Sequence, residues 1–304
     1  MKTPLKFQDS GPDVVELQNL LNKAGETVSV DGVFGAETLA AVRDFQSTHT
    51  DAAGNPLVVD GEVGSLTLAS LQQNTTDVST SASSFAGFDT AVYPGDGKMT
   101  AWMGASPYKY VGYYLPSPFH SDASFMGKRA TLAAMGWGFA VVYVGRQATS
   151  KPENLTRDRG IAEGSDAIQK TGNEDFDPNT VIFLDVEPMD VVLPGIKEYL
   201  KGWISRIIAS SFAPGIYCHI KNAKELQAAA IEEYPAGSSK PKPVFWVSGS
   251  GAFDPASSSP SGSGISFASV WQGQFNRTET HGGESIQIDV NVADFANPSG
   301  AVTS

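Results

Sequence analysis

The run Val181-Ile-Phe-Leu-Asp-Val-Glu187 decides how the larger part of this chain is read. Four consecutive apolar residues do not alternate, as a strand with one wet face would. They suit a strand covered on both sides, as in a parallel sheet. The run ends in two carboxylates spaced i, i+2. Alternate strand residues point to one side, about 6.6 Å apart along it, so both acids can enter one cavity. Similar short apolar runs occupy 86–89, 110–115, 138–144, 214–219, 243–248, 268–272 and 286–290. Helical patterns fill gaps at 121–135, 160–170, 194–209 and 222–233. This alternation predicts an α/β domain over 85–304, a (β/α)8-type TIM barrel. The competing architecture is an open doubly wound sheet. No glycine-rich phosphate loop follows the first run, which disfavours its nucleotide-binding form.

In such a barrel, chemistry gathers at the C-terminal ends of the strands. The first run ends in Asp89, the 181–187 run carries Asp185 and Glu187, and the last carries Asp289. Carboxylates crowded at one mouth raise each other's pKa, so that at least one keeps its proton near neutral pH. Cleavage of a glycosidic bond uses that division. One carboxyl protonates the leaving oxygen, and a carboxylate stabilises or attacks the developing oxocarbenium. Four carboxylates also suit a hard cation such as Ca²⁺ or Mg²⁺. The reading favoured is acid–base chemistry with no metal and no cofactor. Trp246, Trp271, Tyr217 and Tyr113 are candidates for stacking on sugar rings, or for the core. Arg146 is a candidate to pair with the acids or with a substrate carboxylate.

The first 73 residues differ. Asp31-Gly-Val-Phe-Gly-Ala-Glu-Thr-Leu-Ala-Ala-Val42 returns as Asp60-Gly-Glu-Val-Gly-Ser-Leu-Thr-Leu-Ala-Ser-Leu71. Asp-Gly supplies a turn with a positive-φ position, and the second glycine admits a sharp entry into a helix. Leu39, Val42 and Phe45, then Leu68 and Leu71, recur at helical spacing, as do Val14, Leu17, Leu20 and Leu21 upstream. The prediction is a small all-α three-helix bundle over 1–73. Residues 74–84 are small and polar and read as a flexible linker.

The formal net charge is −12 and hydrophobic residues make up 41% of the 304. Nucleic-acid binding needs Lys/Arg patches that this chain lacks, and no stretch is long enough to span a membrane. Cys218, the single cysteine, lies in an apolar run and reads as a buried thiol rather than a nucleophile. His49, His120, His219 and His281 show no zinc-ligand spacing, and no Gly-x-Ser-x-Gly elbow occurs. Residues 1–10 have no apolar signal-peptide core. A protein acting in the periplasm or outside the cell would then be delivered by a phage lysis system, a dedicated secretion apparatus or processing of a longer precursor. A monomer is expected.

The segment from about 5 to 73 resembles the peptidoglycan-binding domain type 1 family. The residues carrying this are Gly11-Pro-Asp-Val-Val-Glu-Leu-Gln-Asn-Leu-Leu21, Asp31-Gly-Val-Phe-Gly35, Thr38-Leu-Ala-Ala-Val42 and Phe45-Gln46. The rest resembles family 25 glycoside hydrolases, the lysozyme-like muramidases, and more closely the glycoside-hydrolase-like domains related to them. That likeness rests on Gly87-Phe-Asp89, Phe183-Leu-Asp-Val-Glu187, Pro214-Gly-Ile-Tyr217, Trp246, Val270-Trp-Gln272 and Ile288-Asp-Val-Asn291. It departs from the muramidase pattern at Val142-Tyr-Val-Gly-Arg146 and in the Val-Ser-Gly-Ser that follows Trp246. The resemblance implies a peptidoglycan hydrolase with Glu187 as general acid, Asp185 positioning substrate or stabilising charge, and Asp89 and Asp289 completing the cluster. A non-catalytic glycan-binding protein and a wall hydrolase cutting another bond are the alternatives.

Overall fold

In a computed structural model the chain divides into two compact units, residues 1–83 and 84–304. The structure describes residues 3–24, 26, 28–51, 54–77, 84–234 and 242–300.

The first unit has three helices, α1 (Pro12–Lys23), α2 (Ala36–Thr48) and α3 (Ser65–Asp77). Val14, Leu17, Leu21, Val42, Phe45 and Leu71 from the helices are buried together with Leu5, Phe34 and Val63 from the loops. Loop side chains thus complete a core that the helices alone do not close, so the unit is more than the plain three-helix bundle expected. The sequence repeat is also a hydrogen-bond repeat. Gln18 Nε2 donates to Asp31 Oδ1 (2.8 Å), the Val33 carbonyl (3.1 Å) and Thr38 Oγ1 (3.1 Å), while its Oε1 accepts from the Gly32 N–H (2.9 Å). Gln46 makes the same four contacts with Asp60, Glu62, Thr67 and Gly61. Gly32 and Gly61 have φ of +74° and +79°, the backbone state the Asp-Gly turn requires. Helix α3 continues through Asp77, so the first residues of the expected linker are helical. Its remainder, 78–83, lies outside the described residues.

The second unit is a closed eight-stranded barrel in sequential order. Its elements are β1 (Phe85–Asp89), α4 (Asp96–Ala105), β2 (Tyr110–Leu115), α5 (Arg129–Met135), β3 (Gly138–Val144), α6 (Arg157–Asn173), β4 (Val181–Val186), α7 (Pro194–Ile208), β5 (Ala213–His219), α8 (Ile220–Ile231), β6 (Val244–Ser248), β7 (Ala268–His281) and β8 (Glu284–Ala293). Neighbouring strands from β1 to β7 are parallel, but β8 runs antiparallel to both β7 and β1. The expected eight-fold β/α alternation therefore fails in the last third. Among the described residues no α-helix links β6 to β7, and β7 and β8 form a hairpin.

The physical reason lies at Gly282-Gly283, both at positive φ (+58° and +81°), the state a tight two-residue hairpin needs. The strands flanking it are half polar, and the distal half of β7 is solvent-exposed ribbon rather than barrel wall. Helix α5 is shorter than the expected 121–135, because Asp122 and Ser124 form a local turn and Gly127 takes a positive φ. Helix α4 escapes sequence reading because it buries only Met99 and Trp102.

Two apolar layers hold the barrel. Tyr113, Val141, Leu184 and Ile216 point outward against helix residues such as Leu132, Trp203 and Ile204. Tyr110, Val142, Phe183, Trp246 and Val270 fill the barrel interior. Helices α6 and α7 touch backbone to backbone. A Cβ at Gly160 would lie 2.0 Å from the Tyr199 carbonyl oxygen, and one at Gly202 2.0 Å from that of Arg157. Near the start of β3 and β4, Ser299 bridges the two strands: its Oγ accepts from the Val141 N–H and donates to the Val181 carbonyl, both at 2.7 Å.

Candidate active site

The acids converge at the open end of the barrel. Asp89, the last residue of β1, is buried and accepts three hydrogen bonds: from Tyr114 Oη to Oδ1, and from Gln272 Nε2 and Asn291 Nδ2 to Oδ2, each 2.8 Å. The amide donors are oriented from behind. Tyr217 Oη donates to Gln272 Oε1 (2.6 Å), and Trp246 Nε1 donates to Asn291 Oδ1 (2.9 Å), so each amide must turn its NH2 toward the acid. Burial, and then the neighbouring Asp289, push the Asp89 pKa up to about 7 although the three donors oppose this.

Asp185 and Glu187 arrive together at the end of β4. Asp185 is buried, and its Oδ1 has no hydrogen-bond partner among the described residues. Burial first, then Glu187 and Asp89, hold its pKa well above the ordinary carboxylate range. Glu187 lies just past the strand and is exposed to solvent. Its carboxyl pKa is also raised, by desolvation within the mouth and then by Asp289. The backbone here is clamped by Gln147, whose Oε1 accepts from the Glu187 N–H (2.8 Å) while its Nε2 donates to the Asp185 carbonyl (3.1 Å). Asp289 on β8 is half-buried and accepts from the Asn276 N–H (2.6 Å) and from Gln272 Nε2 (3.4 Å). Burial raises its pKa, and the Asn276 bond works against that rise.

A cleft of about 520 Å³ opens beside Asp89 and Asp289, between the segment from Thr90 to Lys98 and the β8 residues from Ser285 onward. Protonated and ionised carboxyls around one accessible cleft can transfer a proton to a substrate oxygen and face a developing positive charge. Among the described residues, no group of three or more His, Cys, Asp or Glu has the geometry to hold a metal ion.

Of the residues singled out in the sequence, Asp89, Asp185, Glu187, Asp289 and Tyr217 meet at this mouth. The others do not. Trp246 is buried inside the barrel below the acids, edge-on to Phe183 and Tyr217, so it supports the site rather than offering a face to a sugar. Trp271 points outward, packed against Phe253 and donating to the Gly249 carbonyl (3.0 Å). Tyr113 is also in the outer layer and bonds Glu174 and the Phe125 carbonyl. Arg146 pairs with Glu163 (2.7 Å) and lies over Phe119, away from the acids. Cys218 is buried in the outer layer, and burial pushes its thiol pKa up. Sequence reasoning missed Tyr114, Gln147, Gln272 and Asn291. Period-2 spacing offered a signal for one of them, since Asn291 follows Asp289 by two.

A family model for the Rv2525c-like, glycoside hydrolase-like domain matches residues 100–293, more than half of the chain. It leaves β1 and Asp89 outside its span. A model described as a putative peptidoglycan binding domain matches residues 10–71. Among solved structures, an uncharacterized protein from B. stearothermophilus shares 16% identity, covering 69% of this chain and 95% of that one, with a TM-score of 0.51. The Clostridium perfringens spore cortex lytic enzyme SleM shares 11% identity over 69% of this chain and 67% of its own, TM-score 0.46. The Mycobacterium tuberculosis Tat-secreted protein Rv2525c shares 15% over 68% and 93%, TM-score 0.44. No curated protein matches.

Proposed function

Because this chain belongs to the Rv2525c-like, glycoside hydrolase-like domain family, we propose that it is a peptidoglycan hydrolase of the muramidase kind, cutting the glycan backbone of the bacterial wall. Residues 10–71 hold it on that wall and raise the local concentration of the barrel at its substrate. The observation that carries this reading is the gathering of Asp89, Asp185, Glu187 and Asp289 around one open mouth, each with its pKa displaced upward.

Glu187 is the general acid. It is the exposed member of the set, and desolvation followed by Asp289 raises its pKa, which favours the protonated form a general acid uses. Asp289, half-buried and bordering the cleft, faces the positive charge that develops on the sugar ring. Asp89 and Asp185 lie deeper. Held by neighbours and by burial, they set the charge of the mouth and position the ring. Incubating the purified protein with peptidoglycan tests the bond cut. Release of reducing ends supports the glycosidase, while release of amino groups without reducing ends indicates another bond. Release of neither, with the protein retained on the wall, leaves a glycan-binding protein.

A further inference from the structure

The cleft beside Asp89 and Asp289 contains a lysine that acid–base chemistry does not use. Lys98, in the first turn of α4, lines the cleft wall opposite β8. Its Nζ donates to the Ser285 carbonyl across the cleft (2.8 Å), which fixes the ammonium between the two walls. Among the described residues it has no carboxylate within ion-pair distance. The contrast with its neighbourhood is informative. Asp96, two residues earlier, is taken by Lys128 (3.0 Å) and by Tyr93 Oη (2.6 Å). An ammonium has three donors, and one carbonyl occupies only one of them.

A chain of net charge −12 with two carboxylates bordering this cleft repels an anionic ligand. A neutral sugar needs no cation there, whereas a sugar bearing a carboxylate does. The geometry points to Lys98 as a recognition site for a substrate carboxylate, borne by the sugar that occupies this cleft next to the bond cut. This rests on the glycan-hydrolase reading above. In peptidoglycan the same chemistry has two sources, the lactyl carboxylate of a muramic acid without a peptide and a carboxylate of the stem peptide.

The test is direct binding of defined fragments to the full chain by calorimetry, comparing wild type with Lys98→Met and Lys98→Arg. The fragments are N-acetylglucosaminyl-N-acetylmuramic acid, its lactyl carboxamide, the same disaccharide bearing a dipeptide, and neutral chitobiose. Wild type is expected to bind a carboxylate-bearing fragment about tenfold more tightly than the carboxamide, as a charge-assisted bond allows. Lys98→Met should lose that preference with its carboxamide affinity unchanged, and Lys98→Arg should keep most of it. Preference for the free lactyl acid identifies the first source, and preference only for the dipeptide fragment the second. Equal affinity for acid, amide and neutral sugar in wild type overturns the assignment, as does a preference that survives Lys98→Met. Both outcomes leave the hydrolase reading standing. Failure of every fragment to bind, with no reducing ends released from wall, overturns the two together.

Discussion

Asp89 and Asp289 are direct partners across the antiparallel β1–β8 pair, and a single amide, Gln272 Nε2, reaches both, at 2.8 Å and 3.4 Å. Two like charges face each other at the mouth with one donor between them. That donor lowers the Asp89 pKa, while burial and Asp289 raise it to about 7.

Removing the donor therefore moves the pKa further up. In Gln272→Leu, Asp89 should titrate above 7, and Tyr217 Oη loses its acceptor. The expected result is an upward shift of the Asp89 carboxyl titration by about one pH unit, with kcat lowered at least tenfold. Carbon NMR of the labelled carboxyl reads the first, and reducing-end assays read the second. An unmoved titration would contradict the bridging role.

Stability of the barrel unit should fall as pH rises. Asp89, at about 7, and Asp294, at about 6, both have folded-state values above the ordinary 3.8. The folded state thus binds more protons than the unfolded one between about pH 4 and 7. By linkage, stability is fullest below that window and is lost as pH climbs through it. All five tryptophans, Trp102, Trp137, Trp203, Trp246 and Trp271, belong to the barrel unit, so tryptophan fluorescence reports on it alone. Melting followed this way should give a higher Tm at pH 5 than at pH 8. The reverse order would show that these acids are ionised at little cost.

Trp246 and Trp271 should behave as core residues. Trp246→Phe removes ring volume from the barrel interior and the donor that orients Asn291. It should cost about 2–4 kcal/mol in urea unfolding and also lower kcat, because Asn291 then loses its fixed aim at Asp89. Trp271→Phe should cost a similar amount while leaving kcat near wild type. A raised KM without loss of stability, in either variant, would mean the ring meets substrate.

In the N-terminal unit, Gln18→Leu and Gln46→Leu each remove an amide that satisfies a buried Gly N–H and an Asp turn. Each should cost about 1–3 kcal/mol in that unit. Retention on peptidoglycan should weaken while the tryptophan melting curve stays the same. A shifted tryptophan melt would mean that the loss of the amide is felt beyond the N-terminal unit.

The strand ends and three of the four acids were legible because a buried apolar strand seldom carries a carboxylate at its end unless the charge is put to use there. Asp289 was legible only through its neighbours, since β8 is half polar. Facing was harder. In Tyr110–Leu115 both sides of the strand are apolar, so alternation shows that Tyr113 and Tyr114 point opposite ways without saying which faces inward. The same ambiguity sent Trp271 to the mouth in place of Gln272. Arg146 sits at a strand end, as a site residue would, yet Glu163 on α6 lies close enough to claim it. The β7–β8 hairpin left its trace at Gly282-Gly283, but regular β/α alternation upstream outweighed two glycines. Gln147 gave no signal, because its work is done by bonds to the backbone of a strand distant in sequence.

The most direct test of the account compares wild type and Glu187→Gln for reducing-end release from purified peptidoglycan, at equal occupancy of the wall. Wild type should release reducing ends, and the variant should lose at least about a hundredfold of that release with binding unchanged. Equal release by both would contradict Glu187 as the acid, and release by neither would contradict glycan cleavage itself.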